Sequence, residues 1–562
     1  MSGSTPSEQK PELRPPPSPT ARWPAALVCL ATLCALLFAY GPLIASDPIL
    51  RRDDETLLRG VRGLSSPLAW PEAVRTGRIL DVQPVRDLAL GVGLRASALS
   101  GHGLFHAFNL LLWICICVLA WRLFARTAGE RLALFALPLF ALHPIFAGSV
   151  GWISASKHLL AAAFLLGAAL LLLRAIDERN AAPRSALAFC ALYALAMLSQ
   201  PIGLLFPLWA ALAVMLLSPA PSRRALLRWP AVLLPLFALA GFINAAYYTR
   251  LYPQLAASKL VEASAGERLL SLGRTAFNLL SPIALSPIYS PGSVWNLVGL
   301  FALLLLAWLL LRRSSREVWL AFAFASFPLA LVTLRMTNIF VSDTYALLPA
   351  VGIFSALLAR LRDAGPRAMR IGGVTLLALS LPAAALTARQ ARTWRSDAAL
   401  WEHAAEVEPC PQTLVRFGGE LLRLGELRQA REVAEGLIAS GESEPQLAFL
   451  YSRAVAQDPS LLLADKIERL EAAPLDDPWR DYLLGTLHAQ SGDAGRGADL
   501  LVRALRSPLA FKGELPVIAA EATALCQLAS RSPCVDLAAL RTLPGWSEEA
   551  YARRRSSLAR TR

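Results

Sequence analysis

The first residues in this chain suited to chemistry are two adjacent acids, Asp53 and Asp54, in the run R-R-D-D-E at positions 51–55. A carboxylate can take a proton from a hydroxyl, and a second beside it tunes its pKa or binds a metal. Solvated loop charges beside Arg51 and Arg52 are the competing reading. Gln83, Arg86 and Asp87 follow, then His106 and Asn109, spaced i, i+3 and so on one helix face. These five could frame an acceptor or a phosphate, although a polar packing network in lipid uses the same residue types. A third group lies in A-L-H-P-I-F-A-G-S-V-G-W-I-S-A-S-K-H-L-L, residues 141–160. There His143, Lys157 and His158 suit a phosphate, and Trp152 suits a sugar face or the membrane interface. Asp343 and Tyr345, with Arg335 nearby, make a fourth group.

The elements that must position these groups are membrane spans. The chain has 562 residues, 55% of them hydrophobic, and a mean hydropathy of +0.46, too apolar for an ordinary soluble enzyme. Apolar runs of spanning length fall at about 24–45, 104–121, 132–147, 158–176, 185–199, 201–217, 229–247, 294–311, 317–334, 344–361 and 371–388. That pattern predicts eleven spans. The net charge of +14 first suggests nucleic acid, but the arginines sit mainly between apolar runs. Alternate connections are basic, through Arg122, Arg126 and Arg131, through Arg174, Arg179 and Arg184, and onward. This is a positive-inside pattern, not a nucleic-acid stripe, and it places the N-terminus in the cytoplasm. The first loop, the 143–158 connection and the C-terminal region then face the periplasm or lumen.

Residues 1–22 are rich in Pro and Ser and read as a disordered cytoplasmic tail. Residues 23–389 read as the membrane domain. Within them E-R-L-L-S-L-G-R-T-A-F-N-L-L, from Glu267, is amphipathic and either lies in the interface plane or packs over the bundle. Residues 390–562 change to soluble helix. Two segments there carry matching glycines, Gly418 with Gly425 and Gly485 with Gly492, 67 residues apart. This is close to twice the 34-residue period of a tetratricopeptide repeat, so a small extracytoplasmic α-solenoid is expected. Gly418 and Gly485 are expected where the first helix of each pair meets the second. Cys526 and Cys534 can pair if this region is extracytoplasmic; the eight cysteines show no metal-ligand spacing.

The combination resembles the transmembrane and tetratricopeptide-repeat O-mannosyltransferase-type proteins, over most of residues 24–510. The resemblance rests on R-R-D-D-E, on D-V-Q-P-V-R-D-L followed by F-H-A-F-N-L-L-L, and on His143, Pro144, Val150, Trp152, Leu159 and Leu160. V-S-D-T-Y-A-L-L-P-A-V-G and T-W-R-S-D-A-A-L-W complete it. Three positions depart from the family pattern: Gly148 replaces a frequent Glu, Ser156 a basic residue, and Thr344 the Arg of Asp-Arg-Tyr. The resemblance implies an all-α GT-C glycosyltransferase fold. It also implies a lipid-linked sugar donor on polyprenyl phosphate and an acceptor protein or glycan presented by the repeats, with a divalent metal left open. Asp53 or Asp54 would be the catalytic base in a multi-pass protein of the bacterial inner membrane with periplasmic repeats. The alternative is a non-catalytic membrane scaffold acting through its repeats. A transporter is disfavoured, because the spans lack paired intramembrane charges and show no inverted repeat.

Overall fold

In this computed structural model the described residues are 19–46, 54–62, 64, 66, 69–75, 83–100, 103–233, 264–290, 292–312, 314–333, 342–443, 445–475, 477–507, 515–529, 535–542 and 546–560. Their regular elements are all helices, with no strand among them. The chain forms two compact units, Met1–Ser396 and Asp397–Arg562.

The first unit begins with α1 (Pro19–Tyr40), which starts inside the stretch expected to be a tail. Four helices, α2 (Asp54–Arg62), α3 (Trp70–Arg75), α4 (Pro84–Ser100) and α5 (Gly103–Ala128), carry the chain into the bundle. Next are α6 (Glu130–Ala141), α7 (Ala147–Gly151), α8 (Ser156–Asp177), α9 (Pro183–Ser199), α10 (Phe206–Leu217) and α11, helical over 220–233. Beyond these lie α12 (Ala265–Leu280), α13 (Val294–Leu311), α14 (Arg316–Thr333), α15 (Leu347–Asp363) and α16 (Pro366–Thr393). Among the described residues six segments are long and apolar enough to cross a membrane: Ala25–Ala45, Gly103–Ala128, Ile153–Asp177, Val294–Leu311, Asp343–Asp363 and Pro366–Thr393. A seventh arises if α6 and Pro144–Gly151, bent by 54°, make one span. The chain therefore has the character of a multi-pass membrane protein. The run expected at 185–199 forms a helix of 17 residues, and that at 201–217 a shorter one of 12, because Pro201 opens a 3-10 turn between them. Most of the run expected at 229–247 lies outside the described residues.

The centre of this unit is α5, against which α6, α8 and α15 pack. Its Trp113 and Phe124 are buried with Phe140 and Phe146 in one aromatic cluster. At the unit's edge α12 and α13 cross with their backbones in contact. A Cβ on Gly273 would collide with the Asn296 carbonyl, and one on Gly299 with the Gly273 carbonyl. Two small residues at a crossing allow this approach, and the contact fixes which face of α12 turns inward.

The second unit holds α17 (Asp397–Val407) and the hairpins α18 (Pro411–Leu424)/α19 (Leu427–Ala439), α20 (Pro445–Gln457)/α21 (Leu463–Ala472) and α22 (Pro478–Gln490)/α23 (Ala494–Ala504). It ends with α24 (Leu515–Leu528), α25 (Leu537–Arg541) and α26 (Glu548–Arg560). Gly425 and Gly492 hold φ of 85° and 94° at hairpin turns, where glycine carries no Cβ penalty. Gly485 meets Leu501 and Gly497 of its partner helix, as expected. Gly418 differs: its face is pressed against Leu450 of α20, in the next hairpin, with 2.6 Å left for a Cβ. Cys526 is disulfide-bonded; the chain's remaining unassigned cysteine, Cys534, lies outside the described residues.

The α12–α13 crossing makes a direct prediction. Gly299→Leu should cost about 1–3 kcal/mol, read as a lower thermal midpoint of the full chain in detergent. Leu297→Ala, on the exposed face of the same helix, should leave the midpoint almost unchanged. Equal midpoints for the two variants would show that the contact is unimportant.

Candidate functional site

Residues 141–160 fold as a broken path between two helices. Pro144 cannot continue α6, so His143 turns extended and a 3-10 turn, Pro144–Phe146, leads into the five-residue α7. Trp152 is again extended, a second 3-10 turn follows at Ile153–Ala155, and α8 begins at Ser156. Every residue from 141 to 156 is buried. Backbone that leaves a helix ladder in such surroundings needs other partners. Side chains from distant helices supply them. Trp113 Nε1 donates to the Ala141 carbonyl at 3.1 Å and the Thr387 hydroxyl to that of Leu142 at 2.5 Å. Asn109 Nδ2 donates to the carbonyls of Trp152 at 2.9 Å and Val150 at 3.3 Å.

Asp54, the first residue of α2, is fully buried and belongs to the same scheme. Its Oδ1 accepts from the Ser154 N–H at 2.9 Å and from the Ser154 hydroxyl at 2.7 Å. The first loop is thereby tied to the broken path 100 residues away. An apolar cluster beneath the tie includes Leu58, Val61, Leu90, Phe105 and Ile153, so α2, α4, α5 and the path share one small core. Asp53 lies outside the described residues. Among the other expected residues, Gln83, Arg86 and Asp87 open α4 as one buried network. The Arg86 guanidinium donates to Asp87 Oδ1 at 2.6 and 2.8 Å and to Gln83 Oε1 at 2.8 Å. Trp70 Nε1 donates to Asp87 Oδ2 at 2.8 Å, and Gln83 Nε2 to Gln200 Oε1 at 2.5 Å. An ion pair so enclosed needs this full set of hydrogen bonds, since desolvation otherwise outweighs the Coulomb gain. His106 is buried one turn before Asn109 on α5.

The remaining candidates occupy another side of the path. His143 accepts the Ile145 N–H on Nδ1, so the proton is on Nε2, which donates to the Leu279 carbonyl at 3.0 Å. The Lys157 ammonium stands 5.5 Å from the centre of the buried Trp152 ring. The His158 ring meets Tyr345 edge-on at 5.0 Å. Asp343 starts a 3-10 turn, Asp343–Ala346, that packs on Pro144–Phe146, α7 and α12. Its carboxylate accepts from Asn278 Nδ2 at 2.8 Å and from the Tyr289 hydroxyl at 2.6 Å. Burial pushes the Tyr289 phenol well above its usual range and the Asp343 carboxylate pushes it the same way, so the phenol stays a donor. The Arg274 guanidinium lies 4.2 Å from the Tyr289 ring centre, with Nε donating to Asn278 Oδ1 at 3.1 Å.

Residues 141–160 thus gather Asp54, Asn109, His143, Trp152, Lys157, His158, Asp343 and Tyr345 along one path. The Gln83–Arg86–Asp87 network joins it through α4 and the shared apolar cluster. The sequence reading missed Ser154, Asn278, Tyr289 and Arg274. Only the Arg274–Asn278 pair carried a signal, two polar residues at i, i+4 on one face of an amphipathic helix. Among the described residues no three of His, Cys, Asp and Glu gather as a metal site. A cavity of about 30 Å³ lined by Arg126, Thr127 and Glu317 lies at the other end of α5.

Gly148 lies against the Trp394 ring. A Cβ there would sit 2.7 Å from the Trp394 ring, and one on Gly151 would sit 2.6 Å from Trp394 Cβ. The indole occupies the space an acid would need. Thr344 Oγ1 shares a hydrogen bond of 2.9 Å with the Ser342 hydroxyl, closing the turn on itself.

No protein-family model, no curated protein and no solved structure matches this chain.

The Asp54–Ser154 tie can be weighed by substitution. Ser154→Ala removes one charge-assisted bond and should cost about 1.5–3 kcal/mol, measured by thermal unfolding of the full chain. Gly148→Glu should destabilise by at least about as much, and Gly148→Glu with Trp394→Ala should recover part of that loss. If the double variant were no better than the single one, the indole would not be what excludes the acid.

Proposed function

We propose that this chain is a membrane glycosyltransferase of GT-C type, moving a sugar from a polyprenyl-phosphate donor to a protein or glycan acceptor. The observation that carries this reading is the tie of Asp54 to Ser154. It brings Asp54, the second of the two adjacent acids, to the path that also holds Trp152, Lys157 and His158. With Asp54 committed to Ser154, the base is assigned to Asp53 beside it, and Asp54 acts as a positioning residue. In the step, the acceptor oxygen forms a bond to the anomeric carbon and its proton passes to Asp53. The bond from that carbon to the phosphate oxygen breaks, with the electron pair leaving on the phosphate. Lys157 and His158 would stabilise that charge, and Trp152 would offer a ring face to the sugar.

The finer architecture belongs to the same proposal: about eleven spans, a cytoplasmic N-terminus in a bacterial inner membrane and a periplasmic tetratricopeptide-type solenoid. The alternating basic loops support that orientation. A disulfide at Cys526 favours an oxidising compartment for the second unit. The helical hairpins with glycine turns support the solenoid. One observation favours a second reading, a non-catalytic scaffold: Trp394 fills the place where the resembling family would carry an acid.

The test is transfer of radiolabelled hexose from polyprenyl phosphate to added acceptor by the full chain in proteoliposomes. Asp53→Asn should lower the rate at least about a hundredfold with unfolding unchanged. A wild-type rate for that variant would remove Asp53 as the base. Absence of transfer by the wild-type chain, across hexose donors, would favour the scaffold.

A further inference from the structure

We propose that the outward face of α12 is a surface for phospholipid acyl chains. The helix is then submerged in the membrane, with lipid tails on its apolar side and the polar groups of the first unit on the other. This surface does not depend on the proposed transfer.

An amphipathic helix lying on a membrane sends its charged face to water and its apolar face into the acyl region. One packed on a soluble protein likewise turns its polar side outward. Neither arrangement describes α12. Arg268, Ser271, Arg274, Thr275 and Asn278 are buried, whereas Leu269 and Leu280 are 49% and 58% exposed, and Ile283, just past the helix, is 67% exposed. At roughly 100° per residue, Leu269 and Leu280 stand within about 20° of each other, and Asn278 falls on the opposite side. The inward polar groups have protein partners. Arg274 donates to Asn278 and to the Ser293 hydroxyl, Asn278 donates to Asp343, and the Ser271 hydroxyl donates to the Arg268 carbonyl. A polar side satisfied within the protein needs no water, and an open apolar side needs a cover.

The neighbouring α13 identifies that cover. It is one of the segments long and apolar enough to cross a membrane, and Leu297, Val298, Phe301, Leu304 and Trp308 are exposed along the side away from Gly299. It crosses the apolar face of α12 at Gly273, between Leu269 and Leu280, where the glycine of each helix meets the backbone of the other. Close by, the Phe277 ring stacks at 4.9 Å on that of Trp295, itself 48% exposed. Leu269 and Leu280 thus flank a helix whose far side is in hydrocarbon, and an acyl layer that reaches α13 reaches both of them. A helix with its side chains is only about 10–12 Å across. On the other side of that thickness lies the turn carrying Asp343, which packs on the broken path. The helix is therefore a partition between lipid tails and the polar interior.

Photo-crosslinking of the full chain in dioleoylphosphatidylcholine nanodiscs tests the surface, because excited benzophenone inserts into nearby C–H bonds and not into water. Leu269→p-benzoylphenylalanine and Leu280→p-benzoylphenylalanine should each gain the intact mass of one phospholipid. Their yields should match that of Phe301→p-benzoylphenylalanine on α13. All three side chains are exposed, so the variants should keep the wild-type thermal midpoint; if the one at Leu280 does not fold, the same change at Ile283 replaces it. No adduct at either α12 position, with one at Phe301, would mean that water covers the face and would overturn the proposal. A covalent pair of chains would overturn it in favour of a second copy. An adduct at only one of the two positions would overturn it as well, since lipid is required on both sides of the crossing. Failure even at Phe301 would remove the shared surface altogether.

Discussion

Backbone that departs from a helix inside an apolar surrounding must find a partner for each N–H and C=O, and water is not there to provide one. Residues 141–156 are such a departure, buried along their whole length. Their partners come from three separate helices: Trp113 and Asn109 of α5, Thr387 of α16, and Asp54 of α2. The path is therefore not a loop between two spans but the place where the first unit is cross-tied. Remove a tie and a carbonyl or amide is left buried without a partner, at about 1–3 kcal/mol.

That requirement explains why chemistry-bearing residues collect there. A polar side chain brought in to satisfy backbone is already desolvated and oriented, two conditions that catalysis also needs. The Gln83–Arg86–Asp87 network and the Arg274–Asn278–Asp343 network approach the path through different neighbours. The first holds its charge closed within an ion pair, and the second spreads it through Asn278 and a stacked tyrosine. The enclosed pair builds the frame, while the spread-out one links α12 to the turn that carries Asp343.

Much of this was legible in residue type and spacing. His143-Pro144 announces a helix end because proline lacks an N–H, and Asn109 three residues after His106 announces one shared face. Spacing could not show that Asp54 would find Ser154, because a serine in I-S-A-S carries no mark that separates a hydrogen-bonding anchor from a surface residue. Gly148 read from sequence is a missing acid; only the packed structure shows Trp394 lying in its place. The rotation of α12 was equally hidden, since an amphipathic pattern gives a polar and an apolar face but not which is inside. Two glycines on separate helices settled that. In the second unit the turns at Gly425 and Gly492 were readable from the need for positive φ, whereas the contact of Gly418 with the following hairpin depended on three-dimensional stacking.

The indole of Trp394 over Gly148 and Gly151 also sets a constraint on α16 that no single residue of that helix shows. An α-helix turns roughly 100° and rises about 1.5 Å for each residue. Insertion or loss of one residue between Pro366 and Trp394 would swing the ring away from the two glycines. The length of α16 is thus locked in phase with the path. Homologous chains that keep the glycines should vary this helix in length only by steps that restore the angle, or not at all.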